Sequence, residues 1–367
     1  MASRPFILIC AGEDSGDSIG EPLVKTLVSQ NIIVIGSGGR RMQAAGMLPL
    51  VDFETLPVSG FGDVLPKYFK LRQSFKALKS ALETPECLGL IAIDYPGFNM
   101  KLVARAGELR KPALYVAPPQ VWAWKRKRAQ VLAKNPYVKL AVFFDFEESV
   151  YREAGCNVVR VQHPFVETKN EFIIPYSESY ILLFPGSRKA QALRNLPLFL
   201  NAVQGAENVV VVAARQELVS VFEKFNVPVV VAPESVSERM AFYQSAEYAV
   251  TAPGTSTLEL ALSGAPFTVC TKPDLLTYCL GRLFIKTKFF ALPNIILDRL
   301  VFLEHIVPPW SGVKLQLEKS SKPTEKVLKE LYEKLAVGKT LEQLALEFLG
   351  QFVKCKPKYR RVPVGRL

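Results

Sequence analysis

Short apolar runs alternate with amphipathic stretches along the whole chain. Residues 6–10, 32–35, 88–93, 113–116, 140–144 and 158–161 read as strands, and so do 181–184, 209–212, 227–231, 248–251 and 267–270. These runs are almost continuously apolar and often β-branched. A strand of that kind has both faces covered, as in a parallel sheet flanked by helices. Helical patterns fill the gaps, for example 17–29 and 235–245. The alternation pauses between His163 and Tyr180, where polar residues and prolines replace it. The predicted fold is therefore α/β, with two Rossmann-like domains, 1–168 and 169–367, whose parallel sheets face a shared cleft. Ligands in such sheets bind beyond the carboxyl ends of the strands, so the cleft is the expected site. From Pro323 onward the chain reads as helical and lysine-rich, and its helices either pack back on the first domain or on a partner. The basic tail, 354–366, reads as frayed.

The loops that follow the strands carry the candidate chemistry. The first, Ala11-Gly12-Glu13-Asp14-Ser15-Gly16-Asp17, opens a helix, but its three carboxylates and its spacing do not suit a dinucleotide pyrophosphate. Glu13, Ser15 and Asp17 fit either sugar hydroxyls or a helix cap. In Ile93-Asp94-Tyr95-Pro96-Gly97-Phe98-Asn99 a buried strand delivers Asp94 to the cleft, placed to take a proton from a substrate hydroxyl, or else to cap the next helix. Asn99 either orients a sugar hydroxyl or faces solvent. Pro118-Pro119-Gln120-Val121-Trp122-Ala123-Trp124 makes a stiff aromatic loop before the cations 125–128, suited to sugar rings, acyl chains and phosphate. In the second half, Gly186, Ser187 and Arg188 end one strand and Gly254, Thr255, Ser256 and Glu259 follow another. Singly each segment reads as a helix cap; together they favour a nucleotide-diphosphate site. His163 lies where the halves meet and is placed to touch a cleft ligand.

Composition narrows the partners. A net charge of +12 draws the chain towards an anion: nucleic acid, an acidic membrane or a phosphorylated substrate. A single cluster of cations argues against nucleic acid. The six scattered cysteines and two histidines offer no zinc pattern, and buried reduced thiols in a cytoplasmic protein are expected. No apolar run is long enough to span a membrane, and the first, 5–11, is too short for a secretory segment. Membrane contact is then peripheral. Val64, Leu65, Tyr68, Leu71, Phe75, Leu78 and Leu82 recur at helical spacing among five cations, which suits an anionic interface or a core-facing helix with a solvated basic face. Residues 280–292, with Arg282, Lys286 and Lys288, are similar but less regular.

Seven segments, taken in order over residues 6–300, resemble lipid A disaccharide synthases. They are 11–17, Gly39-Arg40-Arg41-Met42-Gln43-Ala44-Ala45-Gly46, 93–99, Val121-Trp122-Ala123-Trp124, 185–188, 254–259 and Leu292-Pro293-Asn294. The resemblance implies a GT-B fold and an inverting transfer without metal or other cofactor. The substrates it implies are UDP-2,3-diacylglucosamine and 2,3-diacylglucosamine 1-phosphate, joined to lipid A disaccharide 1-phosphate with release of UDP. It makes Asp94 the general base on the acceptor 6-hydroxyl, and places Arg188, Gly254, Thr255, Glu259 and Asn294 around UDP. It also implies work at the inner face of the cytoplasmic membrane, and leaves open a homodimer with exchanged C-terminal segments. The chain departs from the family pattern at Lys189-Ala190-Gln191, Ala117-Pro118-Pro119-Gln120 and Asp145-Phe146-Glu147. The alternative is another UDP-sugar enzyme of this fold, a UDP-N-acetylglucosamine 2-epimerase or a peptidoglycan glycosyltransferase.

Overall fold

The computed structural model describes residues 4–53, 56, 61–122, 126–168, 180–284, 287–312 and 318–353, with the main chain alone at 61–68, 167, 168, 280, 284 and 353. Trp124 and Lys125 of the aromatic and basic loop, the junction at 169–179 and the tail from 354 lie outside them.

The first half holds seven strands: β1 (Phe6–Cys10), β2 (Ile33–Ser37), β3 (Leu48–Pro49), β4 (Cys87–Ile93), β5 (Ala113–Val116), β6 (Val138–Val142) and β7 (Val158–Arg160). They form one parallel sheet in the order β3-β2-β1-β4-β5-β6-β7. The second half adds β8 (Tyr180–Phe184), β9 (Val209–Ala213), β10 (Val229–Val231), β11 (Ala246–Thr251), β12 (Phe267–Thr271) and β13 (Glu304–Ile306). These form a second parallel sheet, β10-β9-β8-β11-β12-β13. Burial explains why the strand runs are so uniformly apolar: Ile7, Leu8, Ile9, Leu90, Ile91, Leu114, Leu182 and Leu183 are all enclosed, with helices on both faces.

In both sheets the strand order reverses once, between β1 and β4 and between β8 and β11. At such a point neighbouring crossovers leave in opposite directions and open a crevice at the carboxyl ends of the two strands. The loops at 11–13, 94–95, 185–188 and 252–254 are the four that leave these strands.

The chain ends on its own beginning. The helix Leu341–Val353 packs against the helix Asp14–Ser29. Phe348 and Phe352 lie over Gly89 of β4, where a Cβ would come within 3.1 Å of both rings and 2.7 Å of the Pro112 oxygen. The segment before that helix is tied to the first half as well, with His163 N–H donating to the Leu335 carbonyl (3.0 Å) and Gln162 N–H to that of Lys339 (2.9 Å).

Candidate active site

One wall of the crevice is made by the ends of β1 and β4. Gly12 is required there, because a Cβ would overlap the Tyr95 ring that covers it. Asp94 leaves β4 with φ at 45°, and Tyr95 follows at 49°, so two consecutive residues hold the left-handed conformation. This turn takes the Asp94 carboxyl out of the sheet. Burial pushes that carboxyl up to about 6, with repulsion from Glu13 adding to the rise; the Tyr95 N–H and Arg188 oppose it. A carboxylate of that strength is ionised at neutral pH and still basic enough to take a proton.

The second wall is made by the ends of β8 and β11. Gly186, at φ 119°, turns the chain so that Ser187 and Arg188 stand exposed before the helix Lys189–Ala202. Beyond β11, Gly254 precedes the helix Thr255–Ser263, and no side chain caps its first amides. Those amides and the helix dipole favour an anion. The hydroxyls of Ser256 and Thr251 bond each other (2.9 Å), and Thr257 donates to the Gly254 carbonyl (2.7 Å). Ser256 and Glu259 form no capping box. Glu259 is buried and takes Arg239 Nε at 3.0 Å, while Arg239 Nη1 holds the carbonyls of Pro233 (2.9 Å) and Glu234 (2.8 Å). Burial raises the Glu259 carboxyl, and Arg239 works against that rise.

The two walls touch. Arg188 Nη2 lies 3.4 Å from a Glu13 oxygen, Arg215 Nε lies 3.7 Å from Asp14, and Arg41 donates to the Glu234 carbonyl at 2.7 Å. Exposed pairs of this kind contribute little stability. What they establish is that Glu13 and Arg188 meet across the crevice, and Asp94 lies close enough to feel the charge of both. Arg41 lies in one of the segments that carry the family resemblance, without a role assigned to it there; Arg215 and Arg239 were not among the residues singled out from sequence. For Arg215 a signal existed, since it stands just past the carboxyl end of β9; Arg239 has none, since its partner lies twenty residues away on another helix.

Several expected site residues are employed elsewhere. Asp17 is buried and accepts the main-chain N–H groups of Arg41 and Met42, each at 3.1 Å, anchoring the helix Arg40–Ala44. Asn294, on the helix Leu292–Leu297, donates to the Phe302 carbonyl (2.6 Å) and Glu304 (2.7 Å), and accepts from Val301 (2.9 Å) and Phe302 (3.0 Å), so its bonding capacity is used in tying that helix to the segment leading into β13. Asn99 is fully buried, and its amide nitrogen serves main-chain carbonyls. His163 is enclosed by Phe143 and Phe165 and accepts the Phe165 N–H (3.3 Å); burial pushes its pKa down to about 3, so it is neutral. Trp122 packs edge-on against Phe146, with ring centres 4.9 Å apart. Ser15 remains half-buried in the first turn of its helix.

The basic stripe lies on the helix Phe61–Glu83. From residue 69 on, Leu78 and Leu82 enter the core, Phe75 packs on Phe98, and Lys70, Arg72 and Lys76 face solvent, while Phe69 is 72% exposed. The side chains of Val64, Leu65, Lys67 and Tyr68 lie outside the described residues. Among the described residues no helix is long and apolar enough to cross a membrane, and no three potential metal ligands cluster.

A family model described as lipid-A-disaccharide synthetase matches residues 7–354. Lipid-A-disaccharide synthase 1 of Legionella pneumophila (strain Lens) is 31% identical over 338 residues, covering 86% of this chain and 87% of that protein. The lipid-A-disaccharide synthase of Myxococcus xanthus (strain DK1622) is 32% identical over 330 residues, with 83% and 84% covered. Among solved structures, the glycotransferase of kitacinnamycin aligns with a TM-score of 0.54 at 13% identity over 95% of this chain and 99% of that one. The calicheamicin glycosyltransferase aligns at 0.51 and 12%, over 97% and 100%. At such identities these structures speak to the fold alone, which is GT-B.

Proposed function

The chain belongs to the lipid-A-disaccharide synthetase family and is a glycosyltransferase of lipid A biosynthesis, and from that premise we propose that it joins UDP-2,3-diacylglucosamine to 2,3-diacylglucosamine 1-phosphate. Residues 1–168 would take the acceptor and the membrane surface, and 169–367 the UDP-sugar. The observation that carries the reading is the convergence of one basic carboxylate, Asp94, and one cation, Arg188, from two switch points onto one crevice. In the proposed reaction Asp94 takes the proton of the acceptor 6-hydroxyl as that oxygen attacks the anomeric carbon of the donor. The bond from that carbon to the β-phosphate oxygen breaks, and UDP leaves. One base and one displacement invert the anomeric centre. Arg188 and the uncapped amides at Gly254 and Thr255 meet the negative charge that develops on the diphosphate, with Gly186, Ser187 and Ser256 beside it. Placement at the inner face of the cytoplasmic membrane is supported by exposed apolar side chains beside cations: Phe69 near Lys70 and Arg72, and Leu283 (73% exposed) near Arg282.

The family match favours this transfer over the epimerase or peptidoglycan alternatives. The test is UDP release by purified protein given the donor, with and without the lipid acceptor. Acceptor-dependent UDP and a disaccharide 1-phosphate product are expected. Release of UDP without acceptor, or epimerised donor, would contradict the proposal.

A further inference from the structure

Asp94 and Tyr95 occupy a backbone conformation that side chains other than glycine rarely adopt in succession, so something must hold them there. The Asp94 N–H donates to the Val116 carbonyl at 2.9 Å. The Asp94 carbonyl accepts two side-chain donors at once, Asn99 Nδ2 at 2.9 Å and Tyr115 Oη at 3.0 Å. The same Asn99 nitrogen lies 3.0 Å from the Ile93 carbonyl and 3.1 Å from that of Cys10, so it ties the end of β4 to the end of β1. Both side chains are fully buried, Asn99 on the helix Pro96–Glu108 and Tyr115 on β5. Neither has a free donor to offer a sugar.

The other end of Asn99 is informative. Its Oδ1 is buried with no hydrogen-bond partner. An unpaired buried acceptor opposes folding, and a leucine of similar shape would avoid that penalty. Packing alone therefore does not call for asparagine here; the three carbonyl contacts of its nitrogen do. Tyr95 completes the device, with its hydroxyl donating to the Leu56 carbonyl at 2.6 Å and its ring lying over Gly12, next to Glu13.

We propose that Asn99 and Tyr115 are positioning residues which lock the Asp94–Tyr95 main chain in its left-handed turn, fixing where the Asp94 carboxylate points without touching substrate. This rests on the reading of Asp94 as the base. Released from the clamp, the turn relaxes towards ordinary backbone angles and carries the carboxylate out of line with the acceptor hydroxyl and further into solvent.

The experiment compares wild type, Tyr115→Phe, Asn99→Leu and Asp94→Asn, with kcat, donor KM and the pH dependence of kcat measured for each. Tyr115→Phe deletes one hydroxyl and keeps the ring, so a folded protein is secured for the comparison. A displacement of the order of an ångström costs up to ~100-fold in rate; we expect losses of about tenfold for Tyr115→Phe and about 100-fold for Asn99→Leu, donor KM unchanged within about twofold. The acidic limb of the profile should also move to lower pH, because a carboxyl regaining water regains ordinary acidity. Folded variants with wild-type kcat and an unmoved acidic limb would overturn the proposal. So would a loss carried by donor KM with the limb unmoved, which marks a general disturbance of the site. Near-normal turnover by Asp94→Asn would instead remove the base itself, an outcome separate from either.

Discussion

At Asp94, burial and the Glu13 carboxylate act in the same direction, and both can be varied. Glu13→Gln removes the like charge and frees Arg188 from its partner across the crevice. The acidic limb of kcat/KM, expected near pH 6 in the wild type, should then move lower, and UDP should bind a few-fold more tightly. A pH–rate profile and calorimetric titration with UDP check the two effects separately. Arg188→Ala should weaken UDP by roughly 10- to 100-fold, the range for losing a charge-assisted hydrogen bond; unchanged affinity would take Arg188 out of the site. The strand-end residues among these were legible in the sequence, since an acid or arginine just past an apolar run must sit at a carboxyl edge. Asn99, Asn294 and Asp17 were not. An amide or carboxylate suits a sugar hydroxyl and a main-chain staple equally, and what decides between them is which carbonyls and N–H groups the fold brings near, such as Cys10 for Asn99 or Arg41 for Asp17.

Among the elements, the long buried strands were plain because covering both faces leaves an unbroken apolar signature. β3 and β13 escaped: they are two and three residues long, lie at the edges of their sheets, and include exposed or half-buried positions. β6 was displaced. Phe143 and Phe144 continue its apolar run but belong to the turn into the helix Asp145–Glu153, where Phe143 N–H meets Glu147 and Phe144 stacks on Phe146. The helix Phe61–Glu83 faces the core at Leu78 and Leu82 and leaves Phe69 exposed. One packing contact is sharp enough to test. Gly89→Val puts methyl groups where Phe348, Phe352 and the Pro112 oxygen already sit, which should cost about 1–3 kcal/mol of stability by overpacking and loosen the C-terminal helix. Urea unfolding, with proteolysis near 341–353 as a local probe, reads both.

For the whole molecule, the two switch points meet through the Arg188–Glu13 and Arg215–Asp14 pairs, and the last helices brace the halves by returning to the first. His163 sits in that brace, its N–H on Leu335 and its ring among phenylalanines. Its pKa is lowered in the folded protein to about 3, against an ordinary value near 6.5. The folded state therefore disfavours the charged form, so stability is full above pH 6.5 and is lost as pH falls towards 3. At pH 5 the loss from this group is about 2 kcal/mol by linkage. Unfolding free energies from denaturant titrations at pH 5 and 7.5 should differ in the wild type by that much more than in His163→Phe, which is less stable at pH 7.5 because Phe165 N–H loses its acceptor. That His163 is buried and neutral was hidden in the sequence, because Phe143 and Phe144, which enclose it together with the nearby Phe165, come from a segment about twenty residues away.

The central claim is that Asp94 activates the acceptor while the opposite wall holds the donor. It is tested most directly by measuring, on folded Asp94→Asn protein, both turnover to disaccharide 1-phosphate and the binding of UDP-2,3-diacylglucosamine. A loss of turnover of roughly 1,000-fold or more, with donor affinity within a few-fold of wild type, is the predicted result. Turnover near wild type, or donor binding lost together with turnover, would contradict it.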